Sequence, residues 1–171
     1  FGMCVNDYFK LTGMPSLIPR YALGNWWSRD KAYTTDNILA LVQKFEKENI
    51  PLSVILFDKD WHIRTTGPYK DLETGFTFNK NLISDPKSLI DFLHSKGIRV
   101  GLSVNPKDGV YPHEEHYQEI KNFLEYKEEG LIALDPLNPK MLDALLKYLL
   151  EPLETLGVDF FWNDYKETKD L

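Results

Sequence analysis

Of 171 residues, 43% are hydrophobic and 13% aromatic, enough to bury the core of one domain and too much apolar surface for a disordered chain. A net charge of −6, with acidic and basic residues interspersed, argues against nucleic acid or an anionic membrane as partner, since both are met by a basic face. Cys4 is the only cysteine, so there is no intrachain disulfide framework, and no apolar run reaches the roughly 18 residues of a membrane span.

The chain opens on Phe1 without the charged-then-apolar layout of a secretion signal, and reads as an excised or processed piece. That leaves its compartment unassigned and leans to the cytoplasm. Residues 1–20 hold turn formers at Gly13, Pro15 and Pro19 and no sustained periodicity, so an irregular entry segment is expected there. Tyr21 to Trp27 is the first strand candidate. Thr34 or Thr35 then caps a helix whose apolar positions Ile38, Leu41, Val42 and Phe45 follow helical spacing. Pro51 to Phe57 reads as a second, buried strand that stops at Asp58-Lys59-Asp60. The stretch from Trp61 to Ser84 is too long for a simple turn, and includes a small strand candidate at Phe76 to Phe78.

Asp85-Pro86 is a helix start, an N-cap followed by proline at the first helical position, and Leu89, Ile90, Phe92 and Leu93 form the buried stripe up to Gly97. Ile98 to Val104 is the third strand, ending at Asn105-Pro106. His113 to Glu128 predicts a polar helix with Tyr117, Ile120 and Leu124 inward. Asn138-Pro139 starts another, with Met141, Leu142, Leu145, Leu146 and Leu149 on one side. After Gly157, Val158 to Trp162 reads as a fourth strand buried on both faces, with Asp164 beyond its end.

Strand and helix alternate throughout, which predicts a parallel sheet with right-handed crossovers. An open nucleotide-binding sheet would carry a glycine-rich first turn, whereas this one reads Gly24-Asn25-Trp26-Trp27-Ser28. A (β/α)8 TIM barrel instead places functional groups at successive strand ends, and the predicted ends here are Trp27, Asp58, Asn105 and Asp164. A full barrel takes about 250 residues. The expected fold is therefore α/β, a partial barrel of about four parallel strands with flanking helices, residues 21–171 forming its first half after the entry segment 1–20.

Several groups could carry chemistry. Asp58 and Asp60 read as a sugar-hydroxyl clamp or a divalent-metal site, but Lys59 between them weakens the metal case, and no metal or cofactor is expected. His113-Glu114-Glu115-His116 spaces its histidines three apart rather than four, which favours helix capping and a solvated face over zinc. Trp26 and Trp27 point to opposite faces if they share a strand, so one can wall a sugar ring while the other packs in the core. Trp162 is a further candidate sugar contact.

Read together, these blocks resemble glycoside hydrolase family 31, the α-glucosidase and α-xylosidase family. The resemblance runs through Asp7-Tyr8, Leu11-Thr12-Gly13, Ala22-Leu23-Gly24, Trp27-Ser28-Arg29 and Ile50-Pro51-Leu52-Ser53-Val54. It continues through Asp58-Lys59-Asp60-Trp61, Phe76-Thr77-Phe78-Asn79 and Leu93-His94-Ser95-Lys96-Gly97. The strongest block is Gly157-Val158-Asp159-Phe160-Phe161-Trp162-Asn163-Asp164-Tyr165-Lys166-Glu167, similar to the family's nucleophile motif. The resemblance implies retaining hydrolysis of α-linked glycosides or oligosaccharides, with Asp164 as nucleophile and Asp58 binding hydroxyls of the cleaved sugar. Three departures qualify it. Lys166 stands where familiar members have asparagine, Asn105 where many have aspartate, and the family's acid/base aspartate lies beyond the sixth strand. The sugar preference is thereby left open to α-galactosides and N-acetylated sugars. On this reading residues 1–171 alone are expected to be inactive and prone to self-associate through open sheet edges. The rival readings are a non-catalytic carbohydrate-binding module on the same fold and a metal-dependent glycosyltransferase using Asp58 and Asp60.

Overall fold

The computed structural model of the protein describes residues 2–58, 60–64 and 74–163. Four parallel strands, β1 (Trp26–Arg29), β2 (Val54–Phe57), β3 (Arg99–Val104) and β4 (Phe160–Asn163), form a sheet in sequential order β1-β2-β3-β4. Helices join them: α1 (Gly2–Thr12) precedes β1, α2 (Thr35–Lys47) links β1 to β2, and α3 (Pro86–Ser95) links β2 to β3. Between β3 and β4 lie α4 (Tyr117–Phe123), α5 (Pro139–Ala144) and α6 (Glu151–Leu156), with a π-helical segment Leu145–Leu150 joining the last two. Four parallel strands with flanking helices are half of a (β/α)8 barrel.

Local chemistry sets these boundaries. Thr34 makes a full capping box with Asn37 at the start of α2. Asp85 accepts from the Ser88 N–H ahead of Pro86 in α3, and Asn138 accepts from the Lys140 N–H ahead of Pro139 in α5. Gly97 and Gly157 stop α3 and α6 in the left-handed region, at φ +73° and +113°.

The sheet has two unlike faces. Trp27, Ile55, Phe57, Val100, Leu102, Val104 and Phe161 face the helices and pack with Ile38, Val42, Ile90 and Leu93 in the main core. The other face carries Trp26, Leu56, Gly101, Phe160 and Trp162. A Cβ built on Gly101 would lie 2.4 Å from the Phe160 ring, so only glycine lets that ring cross β3. Trp26 meets Phe160 at 5.2 Å between ring centroids and Trp162 edge-on at 6.4 Å.

Five expectations are corrected. The segment 1–20 is not wholly irregular: Gly2–Thr12 is helical, although it buries no residue, which is why no apolar stripe announces it. The first strand starts at the tryptophan pair rather than ending there, because Arg20–Leu23 closes a 3-10 turn, so its end moves from Trp27 to Arg29. The helix read over His113 to Glu128 shrinks to α4, since residues 113–116 are turned aside to serve a buried carboxylate, described below. Of the stripe read after Asn138-Pro139, Met141 and Leu149 are buried as expected, but Leu142 and Leu146 stay exposed, at 45% and 55%, and Ala144 is buried in their stead. The π-helical turn falls just before Pro152, which lacks an N–H and crowds the Tyr148 carbonyl, and it shifts the helical phase. Finally β4 is not buried on both faces: Phe160 and Phe161 are half-buried, and Trp162 and Asn163 are exposed, because β4 is the edge of the sheet.

Candidate active site

Every strand is parallel, so all four C-terminal ends lie along one edge, the edge that carries function in barrels. Register aligns Arg29, Phe57, Leu102 and Phe161 in one row across the sheet. Asp58 follows β2 directly and is half-buried, and Asn105 follows β3. Period-two alternation carried past the strands assigns Asp58 and Asn105 to the face of Leu56, Gly101, Phe160 and Trp162, away from the helices. Asn105 is extended and its Oδ1 accepts from the Lys107 N–H at 3.3 Å, opening the 3-10 turn Pro106–Asp108. Asp164 and Lys166 lie outside the described residues, as does Lys59.

The two candidate tryptophans part. Trp26 joins Phe160 and Trp162 on the face away from the helices. Trp27 turns to the helix side, where it meets Phe45 edge-on at 5.5 Å and donates from Nε1 to the Tyr33 hydroxyl at 3.1 Å. Asp60 pairs with Arg64 at 3.2 Å. Among the described residues no group of three or more His, Cys, Asp or Glu side chains is placed to hold a metal ion.

Behind the strand ends, the loops after β2 and β3 are bound into one wall. Trp61, 1% exposed, donates from Nε1 to the Ser103 carbonyl at 2.8 Å and meets Phe78 edge-on at 5.0 Å. The Thr74 hydroxyl donates to the Asn105 carbonyl at 2.5 Å and stands 3.0 Å from Asp108 Oδ2, while the Asp108 N–H donates back to it at 3.2 Å. The Phe76 N–H reaches both Glu114 oxygens at 3.2 Å, the Thr77 hydroxyl donates to Glu114 Oε2 at 2.6 Å, and the Glu115 N–H donates to Thr77 Oγ1 at 2.9 Å.

Glu114 thus corrects the solvated-face reading of its motif: it is 4% exposed. Burial raises its pKa, and the Thr77 hydroxyl and Phe76 N–H partly offset the rise. Burial also lowers the pKa of His62 and of His113. His113 Nε2 stands 3.5 Å from Glu114 Oε1, and a neutral imidazole there makes no ion pair. Neither His62 nor Thr74 was singled out by spacing. The one signal for Glu114 was the apolar Val110-Tyr111 pair, separated from it by Pro112 and His113, and both residues of the pair are fully buried. For His62 the signal was Gly75, where a Cβ would come within 2.0 Å of Nδ1.

The family model described as the glycosyl hydrolases family 31 TIM-barrel domain matches residues 15–171. The chain belongs to glycoside hydrolase family 31. An α-xylosidase of Saccharolobus solfataricus is 28% identical over 168 residues, covering 95% of this chain and 21% of that protein. α-Glucosidase 2 of Bacillus thermoamyloliquefaciens is 31% identical over 175 residues, again covering 95% and 21%. The chain thus spans about a fifth of the length of these curated relatives. Among solved structures, the family 31 α-xylosidase of Xanthomonas citri superposes with a TM-score of 0.69 at 23% identity, over 94% of this chain and 18% of that one. A soil-metagenome family 31 α-xylosidase, solved with xylose, does so at 0.65 and 21%, over 90% of this chain and 24% of that one. At those identities the structures establish the fold.

Proposed function

We propose that this chain is the nucleophile-bearing part of a retaining α-glycosidase, with Asp164 as nucleophile and Asp58 holding hydroxyls of the sugar being cleaved. The observation that carries the reading is the common strand-end edge: Asp58 and Asn105 follow neighbouring parallel strands, and Asp164 is the next residue in sequence after β4. Family membership and relatives named α-xylosidase and α-glucosidase support it.

The chemistry needs two carboxyl groups about 5–5.5 Å apart. The Asp164 carboxylate attacks the anomeric carbon as the bond to the leaving oxygen breaks, and the second, protonated carboxyl gives its proton to that oxygen. A glycosyl ester on Asp164 results. The second group, now a carboxylate, deprotonates water, which displaces Asp164 and restores both residues. In this reading, as the resemblance implies, that second group follows the sixth strand. Lys166 and Asn105, at variance with the familiar members, make the sugar a matter for a panel of aryl α-xylosides, α-glucosides, α-galactosides and N-acetylated α-glycosides.

The test is Asp164→Asn in the full-length protein. Turnover should fall by about 10³-fold or more with substrate binding kept, because the group acts in the chemical step. A fluorosugar that traps the glycosyl ester should label wild type at Asp164 and fail to label the variant. Labelling of Asp164→Asn at another residue would move the nucleophile elsewhere. Asp58→Asn should instead raise KM as well as lower kcat, since its contacts form when substrate binds.

A further inference from the structure

Asp159 lies five residues before Asp164 in sequence, at the foot of β4, the end opposite the candidate site. Its carboxylate is held by three donors from two other elements. The Val100 N–H donates to Oδ2 at 2.8 Å, His94 Nε2 donates to the same oxygen at 2.7 Å, and Arg99 Nη1 donates to Oδ1 at 3.0 Å. The Asp159 N–H in turn donates to the Val100 carbonyl at 2.9 Å. Residue 159 therefore closes both of its polar ends on Val100, while His94 ties the same carboxylate to α3. The side chain of Asp159 is only 14% exposed, so its bonds to the Val100 N–H and to His94 are little screened, whereas Arg99, 48% exposed, adds a screened one.

We infer that Asp159, with His94 and Arg99, is the positioning clamp that sets the register of β4 and so fixes where the candidate nucleophile stands; this rests on the reading of Asp164 given above. β4 needs such a clamp because its ladder to β3 is four residue pairs long, from Gly101↔Phe160 to Val104↔Asn163. A slip of one residue would turn Phe160 and Trp162 to the helix face and is resisted by the core. A slip of two keeps every residue on its face and would displace the strand end by about 6.6 Å. That second error leaves the hydrophobic pattern unchanged, so position-specific contacts have to exclude it. The Asp159 carboxylate does so, since either shift takes it off the Val100 N–H. Phe160 lying across Gly101 is a second stop, consistent with the same register.

A group that only stabilises the fold would change the amount of active enzyme, not the rate of each site. The two are separated by titrating active sites with the fluorosugar and reporting kcat per titrated site. In the full-length protein, Asp159→Ala should lower that kcat by about 10²-fold, the scale of an ångström-sized misplacement of a reacting group, with a smaller change in KM, since Asp58 after β2 is untouched and only Trp162 moves with β4. Asp159→Asn keeps one acceptor oxygen and should lose distinctly less. His94→Ala should lower kcat, and His94→Gln, which retains a side-chain N–H donor, should recover part of it. Should Asp159→Ala give no folded enzyme, the His94 pair carries the same comparison. Unchanged kcat per titrated site in Asp159→Asn and His94→Ala, with only a lower melting temperature, would overturn the clamp while leaving the nucleophile assignment intact. Full activity in Asp164→Asn would overturn the assignment itself.

Discussion

Glu114 and His62 sit within one buried wall yet pull the stability of the protein in opposite directions with pH. A carboxyl whose pKa is raised in the folded state keeps a proton that the unfolded chain releases. The contribution of Glu114 is therefore complete below its ordinary value of 4.5 and declines as pH rises from there through its folded pKa. A histidine whose pKa is lowered does the reverse. As pH falls below 6.5 the unfolded chain takes up a proton that folded His62 refuses, so its contribution is complete above 6.5 and is lost on acidification toward its folded pKa. Urea-unfolding midpoints measured across pH should show both. Glu114→Gln should flatten the decline that begins at about 4.5, and His62→Gln the loss that begins at about 6.5. Glu114→Ala should cost about 1–3 kcal/mol at neutral pH, because it strands the Phe76 N–H and the Thr77 hydroxyl in a buried place. Equal midpoints in wild type and Glu114→Ala would show that these donors find water instead.

At the scale of single elements, the close approach of β3 and β4 at Gly101 makes a sharper test than any helix. A methyl at Gly101 would come 2.4 Å from Phe160 Cζ and 3.0 Å from Leu56 Cδ1, so Gly101→Ala should destabilise by about 1–3 kcal/mol. Combined with Phe160→Ala the penalty should largely vanish, and additive losses in that double-mutant cycle would show the two residues do not collide. The elements were legible in the sequence wherever a single local signal set them. Thr34, Asp85-Pro86 and Asn138-Pro139 mark helix starts through caps that act within three residues, and Gly97 and Gly157 mark ends through a backbone angle. Asp58 and Asn105 were legible as strand ends for the same reason, each following a short apolar run. What was not legible depends on distant partners. Glu114 looked solvated because its donors, Phe76 and Thr77, lie 38 and 37 residues away. Asp159 is one aspartate among many until β3 brings Arg99 and Val100 beside it. The exposed helix α1 gave no periodic stripe, and the polar helix read over His113 to Glu128 was overextended at its end because nothing local says that Glu125 turns to φ +54°.

At the scale of the whole molecule, four strands of a barrel leave a surface that a closed barrel would not have. Among the described residues β1 and β4 each pair on one side only, and the face bearing Trp26, Leu56, Phe160 and Trp162 is covered in part by Tyr21 of the 3-10 turn, which stacks on Phe160 at 6.2 Å, while Trp162 stays exposed. The two edges differ. β1 reads Trp-Trp-Ser-Arg and carries a charge, whereas β4 reads Phe-Phe-Trp-Asn and carries none, with Trp162 51% exposed. Charge is the usual protection of an edge strand, so β4 is the more adhesive of the two. Residues 1–171 expressed alone should therefore self-associate through β4 and its exposed Trp162, and on the proposed reading, in which the proton donor follows a later strand, should hydrolyse no aryl α-glycoside. Light scattering over a concentration series should show dimers or larger species, and Trp162→Lys, which puts a charge on that edge, should shift them toward monomer. A monodisperse monomer in the unsubstituted polypeptide would mean that β4 is protected by residues following Asn163, and measurable turnover would mean that the proton donor lies within residues 1–171.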